Sequence, residues 1–307
     1  RDLIEGAVRV EYGVEPDQSP VLQLLYLLPV VDGEQVEVLS TSDEAYVVNG
    51  GSETIVAGLR AALAGQIHTN RALQKISRTE TGYRLSLSRG RDVEAEYVIL
   101  ALPFTALRNV QLDIELPDSL RRFINEVDLG RNEKIVAGVN QRAWANDNGF
   151  EIEAWNDQSV SLLWDSSLRQ PQLAEASLTF FISADEVDGL FTETAAATGQ
   201  ALMTEYSNVL PSLAASSNNR FIRTGWHKTR YIGGGYTNFK PGQYTELAEA
   251  WLYIEADDPD EAQNFALDKL IFAGEHTSDE YYGFMNGAAQ TGRLAAQVVL
   301  QSILQEA

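Results

Sequence analysis

The segment from Leu270 to Ala296, LIFAGEHTSDEYYGFMNGAAQTGRLAA, combines a short apolar strand, a polar loop and a helix that begins with glycines. The helix carries one ridge of small side chains: Gly283, Gly287, Thr291 and Ala295. Where no bulky side chain intervenes, the N-terminal amides and the positive end of the helix dipole can approach an anion or a polarised carbonyl. Tight packing of the helix against a sheet needs the same ridge. Alone, the pattern leaves both interpretations open.

One lysine and three histidines are the other candidates for chemistry. Lys134 stands in an apolar strand pattern, where an ammonium is costly to bury, so its side chain either reaches solvent along its stem or has a function. His276 follows Glu275 in the polar loop, and a single loop histidine is more often structural than a base. His68 and His227 have no neighbours at metal or triad spacing.

Composition excludes several classes of function. The chain has 44 acidic against 23 basic residues and a net charge of -21, which argues against nucleic acids and anionic lipid as partners. It has no cysteine, so disulfides, thiolate zinc sites and a cysteine nucleophile are excluded. The acidic run from Asp257 to Glu261 lacks the glycine and spacing of a calcium loop, and no metal site is predicted. The longest apolar run, Val21 to Val31, is too short to cross a bilayer, and the compartment is left open.

The elements that position these residues follow from hydrophobic periodicity. Helices are predicted over residues 1–31, 52–64, 116–127 and 192–210, and strands over 34–39, 44–48, 94–103 and 134–144. Period-two alternation predicts a hairpin over 73–88 and a second sheet over 146–183. The last fifty residues return to a strand, loop and helix pattern. One domain is therefore predicted to be built from two separate segments of the chain, with the second domain inserted between them.

FAGEHTS followed by GFMNGAAQTGRLAA resembles the C-terminal signature of the flavin-containing amine oxidases, the family of monoamine, polyamine and L-amino-acid oxidases. The resemblance continues through GWHKTRYIGGGYTNFKPGQYT, GRNEKIVAGV, VILALP and NGGSETIVAGLRAAL, in family order along the whole chain. It implies a mixed α/β fold, part of a Rossmann-like FAD-binding domain interleaved with a mixed-sheet substrate domain, as in the amine oxidases and p-hydroxybenzoate hydroxylase. The expected boundaries are 1–33 and 113–228 for the substrate domain and 34–112 and 229–307 for the FAD-binding domain.

The resemblance implies a catalytic group and a substrate cavity. Lys134 matches the lysine that holds a water beside flavin N5 and assists the reduction of oxygen. Tyr236 and Phe284 match the two aromatic positions that flank the flavin face and guide a neutral amine to its reactive edge. The family often has Tyr or Trp at the second position, so Phe284 departs from it and lacks a polar tip. Trp226 and Tyr231 are implied to line the same cavity.

The implied cofactor-binding residues are Gly274 and Glu275, near the ribityl and pyrophosphate portion, Leu73, whose main chain meets adenine, and Gly283 and Met285, at the start of the last helix. The Met285 amide is implied to face the pyrimidine oxygen. Gly235 occupies the position of the cysteine that links to flavin in mitochondrial monoamine oxidases. Glycine has no sulfur, so noncovalent FAD is expected.

The sequence contains no G-x-G-x-x-G fingerprint, which the resembled family carries near its N-terminus. We therefore expect a partner, an N-terminal polypeptide with this motif, present as a second chain or as a cleaved part of a precursor. A homodimer of the assembled unit is left open.

The resemblance implies an FAD-dependent oxidase that deaminates an L-amino acid, with a mono- or polyamine oxidase as the alternative. A noncatalytic partner or scaffold chain is the second alternative. The retention of Lys134 and of the aromatic pair argues against the scaffold.

Overall fold

The computed structural model describes residues 1–27, 30–32, 35–37, 46–146, 153–155, 162–170, 173–258 and 260–306. The first 113 residues contain four helices and seven strands within these ranges: α1 (Asp2–Tyr12), α2 (Val21–Tyr26), β1 (Val30–Asp32), β2 (Gln35–Glu37), α3 (Glu53–Ala62), β3 (Leu73–Arg78), β4 (Tyr83–Leu87), β5 (Val93–Ala95), β6 (Val98–Leu100), α4 (Phe104–Leu107) and β7 (Gln111–Asp113). α1 buries Ala7, Val8 and Val10 on one face and ends at Gly13 in the left-handed conformation that glycine adopts without strain.

The middle of the chain, as far as it is described, forms α5 (Asp118–Glu126), β8 (Asp128–Leu129), β9 (Asn132–Val139), β10 (Glu153–Trp155), β11 (Leu162–Asp165), β12 (Ala176–Ser183), α6 (Ala195–Tyr206), α7 (Leu213–Ser216) and β13 (Ser217–Arg223). Strands β9 to β13 make one antiparallel sheet in the order β10-β11-β12-β9-β13. α6 begins at Thr194, whose side chain accepts a hydrogen bond from the Ala197 amide. It packs on β9 and β13 over a core that includes Ile135, Phe180 and Met203.

The C-terminal region contains β14 (Thr237–Asn238), β15 (Ala266–Leu267), β16 (Leu270–Phe272) and the 22-residue helix α8 (Met285–Glu306). β16 pairs in parallel with β6 and antiparallel with β15. β3, β4, β5 and β7 form a separate four-stranded sheet. A second core joins these elements with α4 and α5 through Phe104, Phe123 and Phe272. The chain therefore returns to this core after the antiparallel sheet; the domain boundaries themselves stay a prediction.

Three sequence-based assignments of elements are wrong. Val30 and Val31 belong to β1 instead of a helix, because they pair with β2. Residues 46–48 form no strand, since no described strand pairs with them, and residues 44–45 lie outside the described ranges. β9 ends at Val139 instead of continuing to Trp144, which is buried in a 3-10 turn at Ala143–Asn146.

None of the helices in the described ranges has both the length and the apolarity of a bilayer-spanning helix. Within the same ranges, no group of three or more His, Cys, Asp or Glu side chains is arranged to hold a metal ion.

Candidate functional site

The central strand β9 has one face that is buried in the core and one face that is less buried. Successive side chains of a strand point to opposite sides, and the buried positions of β9 alternate accordingly from Glu133 through Ile135 to Val139. Lys134 lies on the opposite, less buried face. The strand thus presents one ammonium on the side of the sheet that faces away from its apolar core.

Aromatic rings surround the Lys134 ammonium. Nζ lies 5.2 Å from the centroid of the Trp164 ring, 5.4 Å from that of Phe181 and 5.8 Å from that of Trp226. Phe181 is the antiparallel pair partner of Lys134, so the two side chains share a face. Ring faces carry negative potential and stabilise a cation that has left part of its water shell. Three described ring faces therefore surround the end of the Lys134 side chain.

The loop that follows β13 binds Gly130, between β8 and β9, and thereby positions Tyr236. Gly235 donates its amide to the Gly130 carbonyl at 2.9 Å, and the Gly130 amide donates to the Tyr236 carbonyl at 2.6 Å. The Tyr236 hydroxyl donates to the Glu11 carbonyl at the end of α1. A Cβ at Gly130 would lie 2.2 Å from the Tyr12 carbonyl oxygen, so this close approach requires glycine. Tyr236 is thereby fixed at its backbone and at its hydroxyl.

Glu275 ties this loop to the start of α8. Its Oε1 accepts from the Thr237 amide at 3.1 Å and from the Thr237 hydroxyl at 2.7 Å, and its Oε2 accepts from the Gly283 amide at 2.6 Å. Burial raises the pKa of the Glu275 carboxyl, and the three hydrogen bonds oppose that rise. Both carboxylate oxygens are engaged by the protein. Glu275, predicted as a cofactor contact, thus holds the loops around the site together.

Gly283 brings the first turn of α8 against Tyr236. Its φ is +86°, and a Cβ there would lie 3.3 Å from the Tyr236 ring. Phe284 and Met285 follow directly and are 64% and 57% exposed. The first amides of a helix have no intrahelical acceptors and can face an anion. This arrangement suits the pyrimidine edge of a flavin, where negative charge gathers on reduction.

The other predicted residues lie around this centre. The backbone of Gly235 comes close to Trp226, since a Cβ on that glycine would lie 3.9 Å from the indole. Tyr231 is 59% exposed and stacks with the Arg230 guanidinium, 5.5 Å from its ring centroid. Leu73 begins β3 on the separate four-stranded sheet, so the structure places it on a different element from the rest.

His276 is buried against Phe104, with ring centroids 4.5 Å apart. Its Nε2 has no hydrogen-bond partner among the described residues, and burial lowers the pKa of the imidazole to about 4. A Cβ at Gly274, whose φ is +141°, would lie 2.4 Å from this ring. The geometry therefore gives His276 a packing role, and Gly274 is required for its packing.

Replacing His276 by phenylalanine is expected to weaken the dependence of stability on pH. Between pH 6.5 and about 4 the folded imidazole is neutral while the unfolded one is protonated, so wild-type stability falls on acidification across this window. The loss amounts to about 3 kcal/mol at 1.36 kcal/mol per pKa unit. Urea unfolding at several pH values measures it. H68F, at an exposed histidine, should keep the wild-type slope; an unchanged slope in H276F would contradict the assignment.

A groove of about 880 Å³ lies elsewhere, between the four-stranded sheet and the β15–β16 turn. Arg78, Asp113 and Asp268 line it, and Arg78 forms an ion pair with Asp268. None of the predicted site residues lines this groove, so the candidate site is the cluster around Lys134 and the start of α8.

Sequence reasoning missed several residues of the site. Trp164 and Phe181 meet Lys134 only through strand register, which no local pattern specifies. His227, set aside for want of a partner at triad spacing, has one in Glu133, with Nδ1 2.8 Å from Oε1. The available signal was Glu133 itself, because strand alternation places this carboxylate on the same face as Ile135 and Val139.

Comparison with known proteins gives the family. A model described as flavin containing amine oxidoreductase matches residues 33–300. An amine oxidase [flavin-containing] of Danio rerio is 24% identical over 298 residues, which are 95% of this chain and 54% of that protein. Amine oxidase [flavin-containing] B of Homo sapiens is 25% identical over 257 residues, 83% of this chain and 47% of that protein. The chain spans about half the length of these relatives.

Solved structures share the fold. Cyclohexylamine oxidase from Brevibacterium oxydans superimposes with a TM-score of 0.77 at 20% identity, over 98% of this chain and 64% of that one. Putrescine oxidase bound to putrescine gives 0.77 at 18% identity, over 97% and 64%. The solved structures confirm the predicted mixed α/β architecture, and the family model confirms the predicted FAD cofactor. With residues 33–300 matched by its model, the chain belongs to the flavin-containing amine oxidoreductases.

Proposed function

We propose that these 307 residues belong to an FAD-dependent amine oxidase that produces a carbonyl compound, ammonia and hydrogen peroxide. The observation that carries the proposal is the Lys134 ammonium enclosed by three aromatic rings, close to the loop that holds Tyr236 against the start of α8. A scaffold protein would have no need for a partly buried cation there.

The residues present can hold and orient the reactants. When bound, FAD takes a hydride equivalent from the substrate carbon that bears the amine and passes the two electrons to oxygen. The start of α8 supplies amides for the charge on the reduced ring, and Lys134 supplies a positive charge where oxygen gains electrons. Tyr236 and Trp226 offer aromatic faces to a neutral amine. Loss of the hydride would leave an iminium ion, which releases a proton to become an imine, and water then hydrolyses the imine to carbonyl and ammonia. The hydride and a proton together account for the two electrons and two protons of hydrogen peroxide.

Noncovalent attachment of FAD is part of the proposal. Gly235 offers no side chain for a thioether link to the flavin, and the chain has no cysteine. Acid precipitation of the purified yellow protein should leave all flavin in the supernatant. Flavin that stays with the denatured polypeptide would contradict this.

The substrate class has two candidates. The names of the relatives, which include cyclohexylamine and putrescine oxidases, favour a primary amine without a carboxylate. An L-amino acid is the second candidate, favoured by the PGQYT and GFMNGAAQTGR segments. Peroxide release across aryl amines, alkyl amines, diamines and L-amino acids at equal concentration separates them. At least tenfold higher kcat/KM for one class decides the matter.

We further propose that the pyrophosphate of FAD is bound by polypeptide outside these 307 residues. Two features support this proposal: among the described strands β6 pairs on one side only, and α3 exposes Ile55, Val56 and Leu59. Denaturing mass spectrometry of the yellow protein should show this segment, attached or as a second chain. Tight FAD binding by the 307 residues alone would contradict the proposal.

A further inference from the structure

A buried polar cluster lies directly behind Lys134, on the core side of β9. Glu133 is fully buried, and its Oε1 accepts from the His227 amide at 3.0 Å and lies 2.8 Å from His227 Nδ1. Its Oε2 accepts from the Thr224 hydroxyl. A buried carboxylate is tolerated only where donors satisfy it, and here three donors are available when His227 carries its proton on Nδ1.

Backbone hydrogen bonds fix the same segment to Lys134. The Thr224 amide donates to the Lys134 carbonyl at 3.0 Å, and the Lys134 amide donates to the Thr224 hydroxyl at 2.7 Å. The His227 ring also packs edge-on against Phe191, with centroids 4.9 Å apart. The segment 224–227 is therefore bound to β9 at its first and last residues.

Trp226 lies between these two attachment points, on the other face of the strand. Its ring is 5.8 Å from Lys134 Nζ, whereas the neighbouring His227 binds Glu133 on the core face. The segment therefore contacts both faces of β9. The Trp226 backbone is therefore held directly beside a residue that is bound to Glu133.

From this geometry we propose that Glu133 is a positioning residue: its carboxylate, through His227 and Thr224, fixes Trp226 over Lys134. The inference rests on the proposed function, because it assigns Glu133 to the step that Lys134 serves. Glu133 touches neither substrate nor cofactor in this role. It determines the positions of the Lys134 ammonium and of the Trp226 ring that lies over it.

The test uses the full flavoprotein labelled with 5-fluorotryptophan. The chain contributes five tryptophans, and W226F assigns the Trp226 fluorine signal. E133L removes the acceptor and should shift the Trp226 signal while those of Trp144 and Trp251 stay in place. E133Q should restore it, since the amide oxygen can accept from the His227 amide and Nδ1 while the amide nitrogen donates to the Thr224 hydroxyl oxygen. E94L, at an exposed glutamate paired with Arg84, is the matched control and should shift nothing.

Stopped-flow kinetics supply the second readout. E133L should slow reoxidation by oxygen about tenfold, as expected for a misplaced catalytic group, and change anaerobic reduction by substrate less than twofold. On a K134M background E133L should add no further loss, because both act on one group. If the E133L and K134M losses in reoxidation rate multiply in the double variant, the inference is overturned. An unshifted Trp226 signal in folded E133L would overturn it as well.

Two further outcomes are distinguishable. If E133L does not fold, H227F, which keeps the packing against Phe191, takes its place with the same expected shift and the same criterion. If K134M itself reoxidises at the wild-type rate, the proposed role of the lysine fails. The fluorine signal then still decides whether Glu133 positions Trp226.

Discussion

Alanine at Gly287 is expected to destabilise the protein by about 3 kcal/mol and to weaken FAD binding at least tenfold. Gly287 is buried in the first turn of α8, where a Cβ would lie 2.2 Å from the Tyr281 carbonyl oxygen and 3.0 Å from Ser278 Cβ. The turn cannot keep its position, because one of the clashing groups is backbone. The Met285 amide moves with it. Urea unfolding and titration of the apoprotein with FAD measure the two effects.

The matched control lies on the same helix. Gly292 is exposed, and a Cβ there meets nothing within 4 Å. Since alanine is the better helix former, G292A should stabilise the protein by up to about 1 kcal/mol and leave FAD binding unchanged. If G287A behaved like G292A, the close approach of α8 to the 278–281 loop would not be required by the site.

Replacing Lys134 by methionine is expected to slow reoxidation of the reduced protein by oxygen roughly hundredfold, the usual loss when one electrostatic stabiliser is removed. Anaerobic reduction by substrate should change less than threefold, because the lysine acts on the charge that develops on oxygen. Methionine keeps the apolar stem among Trp164, Phe181 and Trp226, so folding should be retained. Stopped-flow absorbance at several oxygen concentrations separates the two half-reactions.

Lys228 provides the control for this experiment. Its ammonium also lies over an aromatic ring, 4.9 Å from the Phe191 centroid, but the residue is exposed. K228M should reoxidise at the wild-type rate. Equal slowing in both variants would indicate a general charge effect and contradict a specific role for Lys134.

Local patterns predicted the elements better than their ends. The helices at Glu53–Ala62 and Asp118–Glu126 and the hairpin of β3 and β4 follow hydrophobic periodicity directly and are confirmed. Val30 and Val31 show where this fails, because pairing with β2 decides their conformation. Residues 46–48 have the composition of a strand, but none of the described strands pairs with them.

The family signature predicted part of the cluster that the structure brings together. Lys134, Tyr236 and Gly283 could be named as candidates because each stands in a recognisable motif, and their roles stay predictions. Trp164 could not, since its contact with the lysine depends on the register of β11 against β12. Glu133 and His227 are separated by 94 positions in the sequence, and only the packing of one loop on β9 joins them.

The most direct test of the proposed activity is the visible spectrum of the complete flavoprotein under anaerobic conditions. Addition of an amine from the preferred class should bleach the flavin absorption, and admission of oxygen should restore it with one hydrogen peroxide per flavin. A folded, flavin-loaded protein whose spectrum stays unchanged with every amine and L-amino acid would contradict the account and favour a noncatalytic partner chain.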